Sequence, residues 1–323
     1  MSTIAVDAMG GDSAPEEVVK GAILAKKEGV DVILSGDENL IKSYLGNEKI
    51  LVINYPQVIS MDDDPARAIR SNKDSSIIGA LNLVKEKKAD AVFSAGSTGA
   101  TLIGAISVLG KIKGVTRPTI ASVLPGKEKE VILVDSGANL EVKPKVLYQF
   151  AIMGSKLSEL LFDIENPRIG LINNGEESSK GRELEKATFK LLKSSQLNFI
   201  GNVEGKDFAN SKVDVFVTDG FTGNVVLKTL QGVAKLQQDL ISKSLKENLF
   251  KPLLVPVKNA ISPVKSMLNP NSTNGSYLLG VNGLVIIGHG SSNSEAIKNA
   301  LLFTSRAVEK RFINKFTEVS SEL

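Results

Sequence analysis

The stretch Ala89-Asp-Ala-Val-Phe-Ser-Ala-Gly-Ser-Thr-Gly-Ala100 begins with a short apolar run and ends in a glycine turn that opens a helical pattern. That order reads as strand, loop and helix. The same unit recurs without gaps at Val213-Asp-Val-Phe-Val-Thr-Asp-Gly-Phe-Thr-Gly-Asn224. Either a common strand-to-helix turn has been reused or one half of the chain repeats the other; the likeness extends no further, so both readings stand. On both, the two loops are expected at the same edge of one sheet. Working outward, Val- and Ile-rich runs at 4–6, 32–34, 50–53, 131–134, 169–172 and 284–287 alternate with longer helical patterns. The alternation predicts an α/β, Rossmann-like, three-layer fold: a mostly parallel sheet with helices on both faces. No Pro-rich or Ser-rich linker divides it, so residues 1–323 are expected to form a single catalytic domain.

Composition narrows the function. With 39 Lys and Arg against 36 Asp and Glu, the net charge of +3 gives no electrostatic case for nucleic acid. Cys is absent, which removes disulfides, thiolate metal sites and a Cys nucleophile, and fits a reducing, cytoplasmic setting. The opening MSTIAVDAMGG lacks a basic leader and reads as a first strand. No run reaches the roughly 20 apolar residues of a spanning helix.

Ligands of such sheets bind where strands end, so the strand-end loops hold the candidates. Asp7-Ala-Met-Gly-Gly-Asp12 sets Gly10 and Gly11 between a strand and a helix, where backbone can approach an anion; a plain capped turn is the alternative. It is no GxGxxG fingerprint, which argues against a dinucleotide. Ser94-Ala-Gly-Ser-Thr-Gly99 offers Gly96, Ser97 and Thr98 at a helix start, equipment for phosphate, without the Lys of a nucleotide-binding loop. Two further loops end strands with an Asp and bring an Asn soon after: Asp135 with Asn139, and Asp219 with Asn224. Asp can accept a proton or orient a donor, and Asn can meet a developing oxyanion without charge. Asn173 and Lys180 belong to a loop at 173–181, where the lysine either pairs with phosphate or is solvated. His289, the only histidine, sits between two glycines in Ile287-Gly-His-Gly-Ser-Ser292, as a donor to substrate or as a structural side chain.

Together, VDAMGGDSAP, SAGSTGA, DSGAN, NGEESSKG, NVEGKD, TDGFTGNVVLKT and LLGVNGLVIIGHGSS span almost the whole chain. In that order they resemble the bacterial acyl-ACP:phosphate acyltransferase family. The chain departs from the family pattern at Ser97, at Ser136 and over Asn274-Gly-Ser-Tyr277. The resemblance implies a fold related to phosphotransacetylases and isocitrate dehydrogenases, a homodimer, and transfer of a fatty acyl group from acyl carrier protein to inorganic phosphate for phospholipid synthesis. No cofactor and no metal site are expected. With no Cys, direct attack of phosphate on the thioester is expected: Gly10, Gly11, Gly96, Ser97 and Thr98 hold phosphate, and Lys180 supplies charge. Asn224 and His289 then face the carbonyl, with Asp219 orienting one of them. Asp7, Asp12, Asp135, Asn139, Asn173, Gly290 and Ser291 complete the substrate pocket. Rival readings are a phosphotransacetylase-type enzyme using acyl-CoA, a dehydrogenase of related fold, and a non-catalytic scaffold for lipid enzymes.

Over 244–272 the pattern changes. Leu254, Ile261 and Leu268 recur every seven residues, with Val257 beside them and Lys258 and Lys265 at the same interval. This amphipathic, helical arm is expected to contact an anionic membrane surface on its inner face, the acidic carrier, or a second subunit.

Overall fold

A computed structural model describes residues 2–210, 212–248 and 275–323. Strands β1 (Thr3–Asp7) and β2 (Asp31–Gly36) are buried along nearly their whole length. Neither face meets water, as in a parallel sheet clad by helices on both sides. The remaining strands are β3 (Leu51–Asn54), β4 (Ala91–Ser94), β5 (Thr119–Leu124), β6 (Val131–Val134), β7 (Ile169–Ile172), β8 (Phe199–Val203), β9 (Val215–Val217), β10 (Ser276–Leu279) and β11 (Leu284–Ile287). They form one 11-stranded sheet in the order β3-β2-β1-β4-β11-β10-β5-β6-β9-β7-β8.

Two parallel blocks make up this sheet. One holds β3, β2, β1, β4 and β11, the other β6, β9, β7 and β8. Antiparallel pairings of β11 with β10, β10 with β5 and β5 with β6 join them, so the blocks run in opposite directions. Strand directions are therefore related by a two-fold axis between β10 and β5: β4 answers to β9, β1 to β7 and β11 to β6. Both similar sequence units form strand, loop and helix as expected. Their strands are nevertheless opposed, so their loops leave opposite edges of the sheet, not the same one.

One face of the sheet is covered by α1 (Glu16–Lys27), α2 (Glu38–Leu45), α6 (Pro144–Phe162), α7 (Glu183–Lys193), α9 (Ser294–Glu309) and α10 (Phe312–Phe316), in a continuous apolar core. The other face carries α3 (Pro65–Ser71), α4 (Ser76–Lys85) and α5 (Thr98–Val108) over the first block, and α8 (Gly220–Asn248) over the second. Between α5 and α8 this face is left partly open. Of the arm expected over 244–272, only the end of α8 is described; Leu254, Val257, Lys258, Ile261, Lys265 and Leu268 lie outside the described residues.

Candidate active site

The open strip near the two-fold axis is a cavity of about 300 Å³. It draws on both halves: Thr98 at the start of α5, Gly137 in the loop after β6, Asn224 and Lys228 on α8, and His289 after β11. Its floor is central sheet, where Ser122 of β5 and Ser276 of β10 point to the open face beside Ser136. Ser122 Oγ donates to Ser136 Oγ at 2.8 Å, and Ser136 Oγ donates to the Ile120 carbonyl at 3.2 Å. A hydroxyl has one proton, so the 2.8 Å contact of Ser276 with Ser122 has Ser276 as donor. The row spends its protons on itself and offers the cavity lone pairs.

Donors come from the walls. Lys228 Nζ lies 3.3 Å from His289 Nε2, and Ser291 Oγ lies 2.9 Å from His289 Nδ1. Burial, then the charge of Lys228, depress the His289 pKa, against an opposite pull from Asp12. The imidazole is therefore held neutral beside an ammonium. Asn224 stands against Gly137, whose φ of +145° turns the loop; a Cβ there would make ordinary contact with Asn224 at 3.6 Å, so the backbone conformation is what calls for glycine.

The glycine loops expected to cradle phosphate serve mainly to interlock. A Cβ on Gly10 would fall 2.5 Å from Asp7 Oδ2 and 2.7 Å from the Gly96 nitrogen. The Gly96 amide is already spent on Ser94 Oγ at 3.1 Å, and that hydroxyl donates to Asp7 at 2.6 Å. Burial pushes the Asp7 carboxyl up, and among the described residues its Oδ1 has no hydrogen-bond partner. Ser97 Oγ caps α5 by accepting from the Ala100 amide at 3.4 Å. Gly11 and Asp12 meet the last loop, where the Asp12 amide donates to the Gly290 carbonyl at 2.8 Å. Of the five residues expected to hold phosphate, only Thr98 lines the cavity.

Asp135 and Asn139 form a closed network. Asp135 accepts from the amides of Gly137, Ala138 and Asn139 and from Asn139 Nδ2, at 2.8 to 3.0 Å, while burial pushes its carboxyl up. Asp219 does not reach His289 or orient Asn224 directly. It is paired with Arg182, which also binds Glu185, and it accepts from the Thr222 amide at 2.7 Å in the first turn of α8. Asn173 and Lys180 stand apart from the cavity, at the carboxyl edge of the second block, where Asn173 Nδ2 donates to the Lys180 carbonyl at 3.2 Å. Lys228, Ser122, Ser136 and Ser276 were missed as site residues. Lys228 could have been found, since it follows Asn224 by one helical turn. Among the described residues, no group of three His, Asp or Glu side chains is arranged to hold a metal ion.

The fold of this chain is similar to that of three solved structures. A EutD phosphotransacetylase from Staphylococcus aureus superposes with a TM-score of 0.60 at 18% identity, covering 100% of this chain and 94% of its own. A branched-chain phosphotransacylase from Enterococcus faecalis gives 0.59 at 15% identity, covering 95% and 99%. A 4-hydroxythreonine-4-phosphate dehydrogenase from Klebsiella pneumoniae gives 0.55 at 13% identity, covering 94% and 98%. These likenesses define the fold. Sequence goes further: residues 2–315 match the family model described as fatty acid synthesis protein. A phosphate acyltransferase of Pelotomaculum thermopropionicum is 45% identical over 96% of this chain and 92% of its own length, and one of Halothermothrix orenii is 42% identical over 96% of each. The chain belongs to the phosphate acyltransferase family and is an enzyme of that type.

Proposed function

We propose that the enzyme moves a fatty acyl group from acyl carrier protein to inorganic phosphate, giving acyl phosphate for glycerophospholipid synthesis. The observation that carries this reading is the pairing of a Lys228 ammonium with a neutral His289 over a cavity that also receives Thr98 and Asn224. Phosphate is held by Lys228, the Thr98 hydroxyl and the positive end of α5. One phosphate oxygen attacks the thioester carbon. A C–O bond forms while the carbonyl π electrons move onto oxygen, where the Asn224 amide N–H and the Lys228 ammonium, positioned by the accepting His289 Nε2, stabilise the charge. Collapse of the tetrahedral intermediate breaks the C–S bond. The thiolate leaves without a strong acid, because a thiol pKa is only about 8.5. The acceptor-rich serine floor suits the amide N–H groups of a pantetheine arm, and Ile120, Leu124, Leu227 and Ile287 give the acyl chain an apolar wall. Gly10, Gly11, Gly96 and Ser97 on this reading hold the two loops together behind Thr98.

With this activity we place the enzyme in the cytoplasm as a homodimer resting on the inner membrane face. Exposed Val225, Val233, Leu236 and Leu240 along α8 support such a contact. No helix among the described residues is long and apolar enough to cross a membrane.

The test is thiol release from long-chain acyl-ACP and from acyl-CoA, with and without phosphate, by the wild type and Asn224→Ala. Phosphate-dependent release from acyl-ACP that drops about a hundredfold in the variant is expected. Preference for acyl-CoA would replace the carrier-bound donor with the phosphotransacetylase type, and release that ignores phosphate would overturn the acceptor.

A further inference from the structure

Helix α7 and the segments beside it form a groove of about 980 Å³ outside the catalytic cavity. Lys186, Lys190 and Lys193 line it, at intervals of four and three residues. On a helix that spacing makes a ridge roughly 10 Å long. Lys186 meets Glu183 at 3.2 Å, but this glutamate is 93% exposed, and such a pair is worth little. The second acidic residue of the first turn, Glu185, faces inward to Arg182. Across the groove stands Pro144, flanked by exposed Lys143 and Lys145, with Glu141 the nearest acid in sequence. The surface is thus a concave strip with a strong excess of positive charge.

Its position ties it to the chemistry through two short connections. Arg182, just ahead of α7, is ion-paired to Asp219, just ahead of α8, and α8 carries Asn224 and Lys228. Pro144 opens the helix that follows the loop containing Gly137, which lines the cavity. The groove and the Gly137 and Asn224 wall thus share the carboxyl edge of the second block, the groove on the α7 face of the sheet and the cavity on the α8 face. We propose that this groove docks the acidic helical face of the carrier protein that brings the acyl chain. The inference rests on the acyl-ACP reading above. A helix with carboxylates at matching intervals fits a concave basic strip, and complementary charge steers encounter more than it adds bulk affinity. A bilayer fits less well, since Leu191, 40% exposed, is the only large exposed hydrophobic residue described on α7, and interfacial binding needs a protruding apolar face.

The test compares wild type with the triple variant Lys186→Glu, Lys190→Glu, Lys193→Glu, and with the milder triple Gln variant. Substrates are acyl-ACP and the uncharged acyl-pantetheine of the same chain length. KM for acyl-ACP is expected to rise about tenfold or more in the Glu variant and less in the Gln variant, with the acyl-pantetheine reaction unchanged. Wild-type KM for acyl-ACP should also rise with salt. An unaltered KM for acyl-ACP in variants that still turn over acyl-pantetheine overturns the docking surface alone. Wild type that uses acyl-pantetheine but not acyl-ACP overturns the donor reading and the surface with it. Loss of sedimentation with vesicles containing phosphatidylglycerol, at unchanged KM for acyl-ACP, would make the groove a lipid surface and also refute the proposal.

Discussion

Lys228 Nζ and His289 Nε2, 3.3 Å apart, form a hydrogen bond only if the imidazole gives up its charge and Nε2 accepts from the ammonium. The protein holds a single histidine, so its ring signals in an NMR titration are unambiguous. They should titrate below the ordinary value of about 6.5. In Lys228→Met the midpoint should move up, and in Asp12→Asn it should move further down, since Asp12 pulls the other way. A midpoint indifferent to Lys228 would dissolve the pair. By linkage, the folded chain binds this proton less readily than the unfolded chain, so the contribution to stability is full above about 6.5 and is lost as pH falls from there through the lower folded-state value. Lys228→Met should also cut kcat/KM by about a hundredfold, with far-UV circular dichroism unchanged because the side chain is exposed. The sequence showed Asn224 and His289 through their glycine-flanked loops. It hid the serine row, because Ser276 lies 154 residues from Ser122 in sequence and only strand pairing aligns them with Ser136.

Two of the three glycines in helix α8 have opposite requirements. A Cβ at Gly223 would fall 1.8 Å from the Asp135 carbonyl oxygen, so the first turn of α8 can lie on the loop after β6 only without a side chain. At Gly232 a Cβ meets nothing. Gly223→Ala should destabilise by about 3 kcal/mol, since backbone cannot yield as a flexible side chain does. Gly232→Ala should stabilise by about 0.5–1 kcal/mol through helix propensity. Urea unfolding of both variants checks the pair, and equal midpoints would refute the close approach. Element by element, most runs rich in Val and Ile were legible because burial on both faces leaves an unbroken apolar signature, the edge strand β3 being the partly exposed one. β5, Thr-Ile-Ala-Ser-Val-Leu, and β10, Ser-Tyr-Leu-Leu, were not. Both carry the cavity floor, where Ser replaces the Val or Ile expected of a central strand, so the residues that make the site also blurred the strands beneath it.

Across the whole molecule, the cavity lies where two oppositely directed blocks meet, and any ligand there contacts both. Phosphate at about 100 times its Kd should add about 2.7 kcal/mol to the folded state. Thermal melts in phosphate and in chloride at equal ionic strength test this, with Thr98→Val expected to lose most of the gain. A phosphate-independent midpoint would argue against a phosphate site. The opposed blocks were beyond the sequence's reach, because a strand's direction within a sheet depends on which neighbour it pairs with and not on its own residues. The join has a further consequence for biosynthesis. Strands β10 and β11 are the last made, yet they sit between β4 and β5. As the polypeptide leaves the ribosome at about 5–20 residues per second, the facing edges of β4 and β5 wait unpaired for many seconds. Two naked strand edges on one nascent chain invite sticking to neighbours on the same messenger. Chaperone demand should therefore peak in the interval before residue 276 emerges.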